Sequence, residues 1–230
     1  IVSRLGKGTK THCGDLGTYG RIDLALKWIG HNTLYLESQK LEESNPQKAL
    51  TLLNRTLTHL PHFRKALFKK AKIHIQLDQL DQALKTLTKV IDPKHDLWSK
   101  PIYEAFDLKK DIHLKRGETQ KAAETLLAKV LHYKNKFFGN EEVYKLLEES
   151  TTLNPDFKEA YLFKALFYYG HSNYFINEAL TNFKTFKEKG GLLKPHFKTI
   201  FNLLKSSSSS FSRSISSNGD LFLKEIQAFS

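Results

Sequence analysis

The chain has 230 residues, 40% of them hydrophobic, and 36 Lys+Arg against 24 Asp+Glu give it a formal net charge of +12. That apolar share supports a sizeable core and excludes wholesale disorder, while the single Cys13 excludes an intrachain disulfide framework and a cysteine-built zinc site. No apolar run approaches the roughly 20 residues of a membrane-spanning helix, so the composition points to an all-α chain with no membrane partner, and the cysteine usage fits a reducing, cytoplasmic compartment.

Residues 1–20 hold five glycines and no helical period, and read as a flexible leader. Lys7 sits between Gly6 and Gly8, but no Gly-Lys-Ser/Thr triplet follows a strand, so a phosphate-binding loop is not formed. A chain that begins at Ile1 and contains no Met reads as a fragment or a processed product. Ile22, Ala25, Leu26 and Ile29 share one helical face, and His31 to Glu43 is the next expected helix, with Leu34, Tyr35 and Leu41 inward. Asn45-Pro46 breaks it, and Pro46 suits the first turn of a helix running through Ala49, Leu50, Leu53 and Leu57 to Pro61.

Arg64 to Asp92 reads as two short amphipathic helices joined by a tight turn. Ala66, Leu67, Ala71, Ile73 and Ile75 form the first apolar stripe, and Leu80, Ala83, Leu84, Leu87 and Val90 the second. Neither stripe can be buried by one helix alone. Pro93 stops this pair. Trp98 to Lys115 is expected as a longer helix, ended by Gly117 in a left-handed cap. Glu118 to Tyr133 follows, then Glu141 to Leu153, which stops at Asn154-Pro155. Phe157 to Tyr169 is the most aromatic helix, Ile176 to Lys187 is its partner, and Gly190-Gly191 ends that one. Pro195 to Lys205 is expected to cap the stack. The boundaries are therefore a leader at 1–20, a helical-repeat domain at 21–205 and a serine-rich tail at 206–230, whose apolar end LFLKEIQAF can dock back or belong to a following domain.

Ala49 and Ala83 lie 34 residues apart, each in an Ala-Leu dipeptide one or two positions after a Gln, with Pro61 twelve residues after Ala49 and Ala71 twelve before Ala83. Leu147, Ser150 and Pro155, then Tyr161, Ala165 and Tyr168, then Ala179, Phe183 and Phe186 repeat the same large-small-aromatic-small order. This spacing resembles the tetratricopeptide repeat family over roughly residues 21–190. The resemblance implies an α-solenoid: a right-handed superhelix of antiparallel helix pairs whose concave groove is lined by the first helix of each pair. Carried onto this chain, the groove falls on Lys65, Phe68, Lys69 and Lys72; on Glu159, Leu162, Phe163, Leu166 and Tyr169; and on His31, Leu34, Tyr35 and Ser38. Such a groove, basic in the middle and aromatic towards the carboxyl end, suits a protein or peptide segment with acidic and apolar residues. Lys65 and Lys69 also resemble part of the family's carboxylate clamp, although Tyr35 stands where the clamp has Asn and Lys69 lacks the fork of Arg.

Residues 44–116 hold 15 Lys+Arg against 7 Asp+Glu, so the charge concentrates in the central repeats. Arg64, Lys65, Lys69, Lys70 and Lys72, interleaved with Phe63 and Phe68, leave RNA open as an alternative partner. A second alternative is the accessory repeat region of a larger enzyme. His59 and His62 straddle Pro61 without a second ligand pair, so no metal or other cofactor is expected. No nucleophile elbow or paired acid and base appears, and the chain reads as a non-catalytic interaction scaffold.

Overall fold

The computed structural model describes residues 30, 32–92, 103–133, 137–171, 175–196, 224 and 226. The expected leader, the helix at 21–29, His31, the start of the helix at 98–102, most of the capping helix and the serine-rich stretch lie outside these residues. All regular structure among the described residues is helical, as the sequence predicts, and it divides into two compact units, Ile1–Trp98 and Ser99–Ser230.

The first unit contains α1 (residues 32–41), α2 (Pro46–His59), α3 (Arg64–Gln76) and α4 (Leu80–Ile91). Asn45 caps α2: its Oδ1 accepts the Lys48 N–H at 3.0 Å, and Pro46 occupies the first turn, where a missing N–H has no effect on the helix bonds. Ala49, Ala66, Ala71 and Ala83 are fully buried. These small side chains let the helix backbones approach, and Leu53, Ile73 and Leu87 fill the space between them. Burying each of those three contributes about 1.5–3 kcal/mol. Arg64 is buried too, and its Nη2 donates to the Asp92 carbonyl at 3.2 Å, tying the start of α3 to the end of α4. It is therefore a structural residue and not part of an exposed basic face.

The second unit contains α5 (Tyr103–Lys115), α6 (Thr119–His132), α7 (Glu141–Leu153), α8 (Lys158–His171) and α9 (Ile176–Glu188), followed by a 3-10 turn at Lys194–His196. In both units the closest packing is between helices that follow one another in the chain. Ser150 on α7 is buried and donates to the Ala123 carbonyl of α6 at 3.1 Å, so a small polar residue at the crossing satisfies itself across the pair. Leu193 is buried in the core of this unit, the His196 ring lies 6.2 Å from that of Phe163, and Ile226 packs against the same cluster.

One turn is built twice. Between α3 and α4, the Gln79 N–H donates to the His74 carbonyl at 2.8 Å, and His74 Nδ1 lies 2.8 Å from Gln79 Oε1, which accepts its proton. Between α5 and α6, 39 residues further on, the Glu118 N–H donates to the His113 carbonyl at 2.9 Å and His113 Nδ1 lies 2.7 Å from Glu118 Oε2. The left-handed position is Asp78 (φ 54) in the first turn and Gly117 (φ 71) in the second, and aspartate is among the few side chains that tolerate it. Residues 103–130 thus repeat 64–91 at an offset of 39, with α5 described from Tyr103 to Lys115.

The two turns differ in what acid does to them. The hydrogen bond to His113, then that to Lys121, holds the Glu118 carboxyl below its usual range. A carboxyl with a depressed folded pKa stabilises the fold above its unfolded pKa, and that contribution is lost as pH falls through the folded value. The amide at Gln79 carries no such dependence. Glu118→Gln is expected to make the thermal midpoint fall less steeply through the carboxylate range on acidification. Circular dichroism melts of both proteins across that range would show it, and equal slopes would reject it.

Candidate functional site

α3 offers a lysine stripe on one side and packs its alanines on the other. Lys65, Phe68, Lys69 and Lys72 are three and four residues apart and so share a face. Lys65 is exposed, while Phe68, Lys69 and Lys72 are half-buried. Lys72 Nζ lies 5.2 Å from the centre of the Phe68 ring, which holds the ammonium over an aromatic face. Lys69 Nζ is hydrogen-bonded and ion-paired with the Glu42 carboxylate. That pairing removes half of the expected carboxylate clamp, because a clamp needs both ammonium groups for its ligand.

Tyr35, the expected aromatic partner of this stripe, is buried, with its ring 4.9 Å from Phe63 and its hydroxyl accepting from Gln39 Nε2 at 3.2 Å. Burial pushes the Tyr35 hydroxyl pKa up, and the nearby Lys69 partly opposes this. Ser38 is likewise buried and donates to the Tyr35 carbonyl at 2.6 Å; Leu34 is half-buried. These residues brace the stripe from beneath.

The aromatic end of the expected groove requires a correction. Leu162 and Leu166 are 0% exposed, Phe163 is 1% and Tyr169 is 7%, so all four are core side chains. Glu159 alone of that set retains partial exposure. The physical reason is that α8 is apolar over most of its circumference. Ala160, Leu162, Phe163, Ala165, Leu166, Phe167 and Tyr169 are all buried, and only a narrow strip with Tyr161, Lys164 and Tyr168 stays partly exposed. Leu193, His196 and Ile226 contribute to its cover.

Opposite the stripe, α3 helps to form a second basic feature that the sequence reading does not single out. A cavity of about 420 Å³ is lined by Asn54, Leu67, Lys70, His74, Lys85 and Lys89, among others. Lys70 Nζ donates to Asn54 Oδ1 at 2.7 Å. Burial lowers the Lys70 pKa, and the like charge of Lys89 lowers it further. Lys85 and Lys89, four apart on α4, were the available sign of a charged face there. The lysines of α3 and α4 thus fall into two features, the stripe and this cavity. Among the described residues no group of His, Cys, Asp or Glu is placed to hold a metal ion. No helix among them is long and apolar enough to cross a membrane.

Residues 40–100 match the tetratricopeptide repeat family. No curated protein matches the chain. Solved structures with a similar helical arrangement include MamA, at 20% identity over 73% of this chain and 94% of that one, with a TM-score of 0.38. Another is MamA from residue 41 onwards from Desulfovibrio magneticus RS-1, at 16% identity over 76% and 96% of the two chains and a TM-score of 0.38. A third is the assembly chaperone of RpL4 (Acl4), at 15% identity over 87% and 99%, with a TM-score of 0.33. These scores carry no argument about function. Repeats of the matched family generally serve as protein-interaction scaffolds. The tetratricopeptide repeat match thus falls on residues 40–100, where antiparallel helix pairs cross at buried alanines.

Proposed function

We propose that this chain is a non-catalytic interaction scaffold whose first unit takes an acidic, partly apolar segment of a partner protein along the α3 stripe. The observation that carries the reading is the arrangement of Lys65 and Lys72 around Phe68 on one face of α3. An ammonium group steers and orients a carboxylate, and the half-buried ring supplies apolar area beside it. Lys69 takes a supporting role, since Glu42 already occupies it.

The test is Lys65→Glu combined with Lys72→Glu, which leaves the Lys69–Glu42 pair intact. Capture of protein partners from lysate, with and without nuclease, is compared with the parent chain. A protein partner that survives nuclease is expected to bind the variant at least about tenfold more weakly, because like charges then face each other. Helicity by circular dichroism is expected to stay the same. Unchanged binding would remove the stripe from the interface. The cleft at Lys70, Lys85 and Lys89 makes RNA the second reading. Captured material that disappears with nuclease, and whose binding falls steeply with salt, would put it first.

A further inference from the structure

The second unit holds a cavity of about 320 Å³ far removed in character from the lysine-rich first unit. Four rings line it: Tyr144 from α7, Phe167 and Tyr168 from α8, and Phe175 at the start of α9. Tyr144 lies 6.1 Å from both Phe167 and Tyr168, and Phe175 lies 5.9 Å from Tyr168, centre to centre. Tyr144 is tilted 33° to Phe167 but stands at 68° to Tyr168, so the rings form walls at differing angles instead of a flat stack. Two carboxylates, Glu141 and Glu178, complete the lining.

Tyr144 is 37% exposed, one of few large apolar side chains to be so among the described residues. Its face is therefore open to an incoming group. The negative faces of aromatic rings attract a cation, and a low-dielectric ring wall strengthens the effect. The two carboxylates favour the same sign. Glu178 has no ion pair among the described residues, and the Lys145 partner of Glu141 is itself 65% exposed and easily displaced. The Tyr168 hydroxyl pKa is raised by burial, then by its hydrogen bond with Tyr144, and then by Glu148 and Glu178, which agrees with a negative local potential.

We propose that this aromatic box with its Glu141 and Glu178 rim binds the lysine or arginine side chain of a partner polypeptide. Charge complementarity selects that occupant over an apolar side chain, which would gain nothing from the carboxylates. The cavity volume lies at the lower end of the roughly 300–1,000 Å³ of ordinary ligand sites, enough for a single long side chain. The inference rests on the scaffold reading only in taking a polypeptide as partner. It concerns another unit and the opposite charge, so failure of the α3 stripe and failure of this box are seen separately.

The experiment titrates the full chain with three capped tripeptides, Gly-Lys-Gly, Gly-Arg-Gly and Gly-norleucine-Gly, at low salt, following the aromatic ring resonances by NMR. The lysine and arginine peptides are expected to give saturable shifts of the Tyr144 and Tyr168 rings, with the neutral norleucine peptide weaker by about tenfold or more. Tyr144→Ala is expected to weaken the cationic peptides by a similar factor. Glu178→Gln, a change at an exposed side chain, is expected to weaken them about threefold. Equal shifts with norleucine would make the cavity merely apolar and overturn the proposal. Absence of saturable shifts with either cation, or full binding by the Glu178→Gln protein, would overturn it as well.

Discussion

Replacing Phe163 by alanine is expected to lower the unfolding free energy of the second unit by about 3–5 kcal/mol. Phe163 is 1% exposed and sits in the cluster formed by α6 to α9, in ring contact with Phe137 at 6.5 Å and His196 at 6.2 Å. Truncation removes the transfer free energy of a benzyl group and leaves a cavity that helices fixed on both sides cannot close. A groove-lining phenylalanine would behave otherwise. Its truncation would leave stability within about 0.5 kcal/mol and act on partner binding instead. Urea unfolding followed by circular dichroism separates these outcomes. A variant as stable as the parent would return Phe163 to the surface.

The next largest effect is expected at Asp107. Lys129 on α6 is a buried lysine, and its Nζ donates to both carboxylate oxygens of Asp107, at 2.7 and 3.0 Å, with Glu142 3.7 Å away. Asp107→Ala leaves the buried lysine with only the more distant carboxylate; because Asp107 is itself 44% exposed, the expected loss is about 1–2 kcal/mol, between an exposed and a fully buried pair. Lys129→Met keeps the volume and removes the ammonium, and it is expected to stay within about 1 kcal/mol of the parent because no desolvated charge remains. The contrast between the two is the measurement. Equal losses for both variants would mean that the side-chain stem, and not the charge pairing, accounts for the contribution.

Much of the helical framework was legible because it is set by local signals. Asn45-Pro46, Gly117, Asn154-Pro155 and Gly190 each act within a turn or two of their own position, and the structure places the helix ends there. The alanines at 49, 71 and 83 could be read from spacing alone, because crossing helices demand small residues at fixed intervals. The repeated His–Gln and His–Glu turn was equally available in the sequence, as two histidines each five residues before a Gln or Glu. It would have fixed the register of residues 103–130, but its offset differs from the family's 34.

The functional faces were less legible for a different reason. The family pattern states which side of a helix would face a groove, but not what else covers that side. Leu162, Phe163 and Leu166 are closed in by residues as distant in sequence as Leu193 and Ile226, and only three-dimensional packing brings these together. The broad apolar surface of α8, far wider than one stripe, was the available warning. For Lys69 the missing fact was Glu42, 27 residues earlier. The convergence of Tyr144, Tyr168 and Phe175 likewise spans three helices and has no short-range signature.

Because each helix packs chiefly on the helix next to it in the chain, each unit has a mechanical character of its own. Tension applied along such an array loads one interface after another, so a helix pair can peel away while its neighbours keep their contacts. The result is a compliant element that lengthens stepwise under load and recoils as pairs re-form, where a sheet of long-range hydrogen bonds would hold and then rupture. A scaffold with that elasticity can keep hold of a partner that is being pulled.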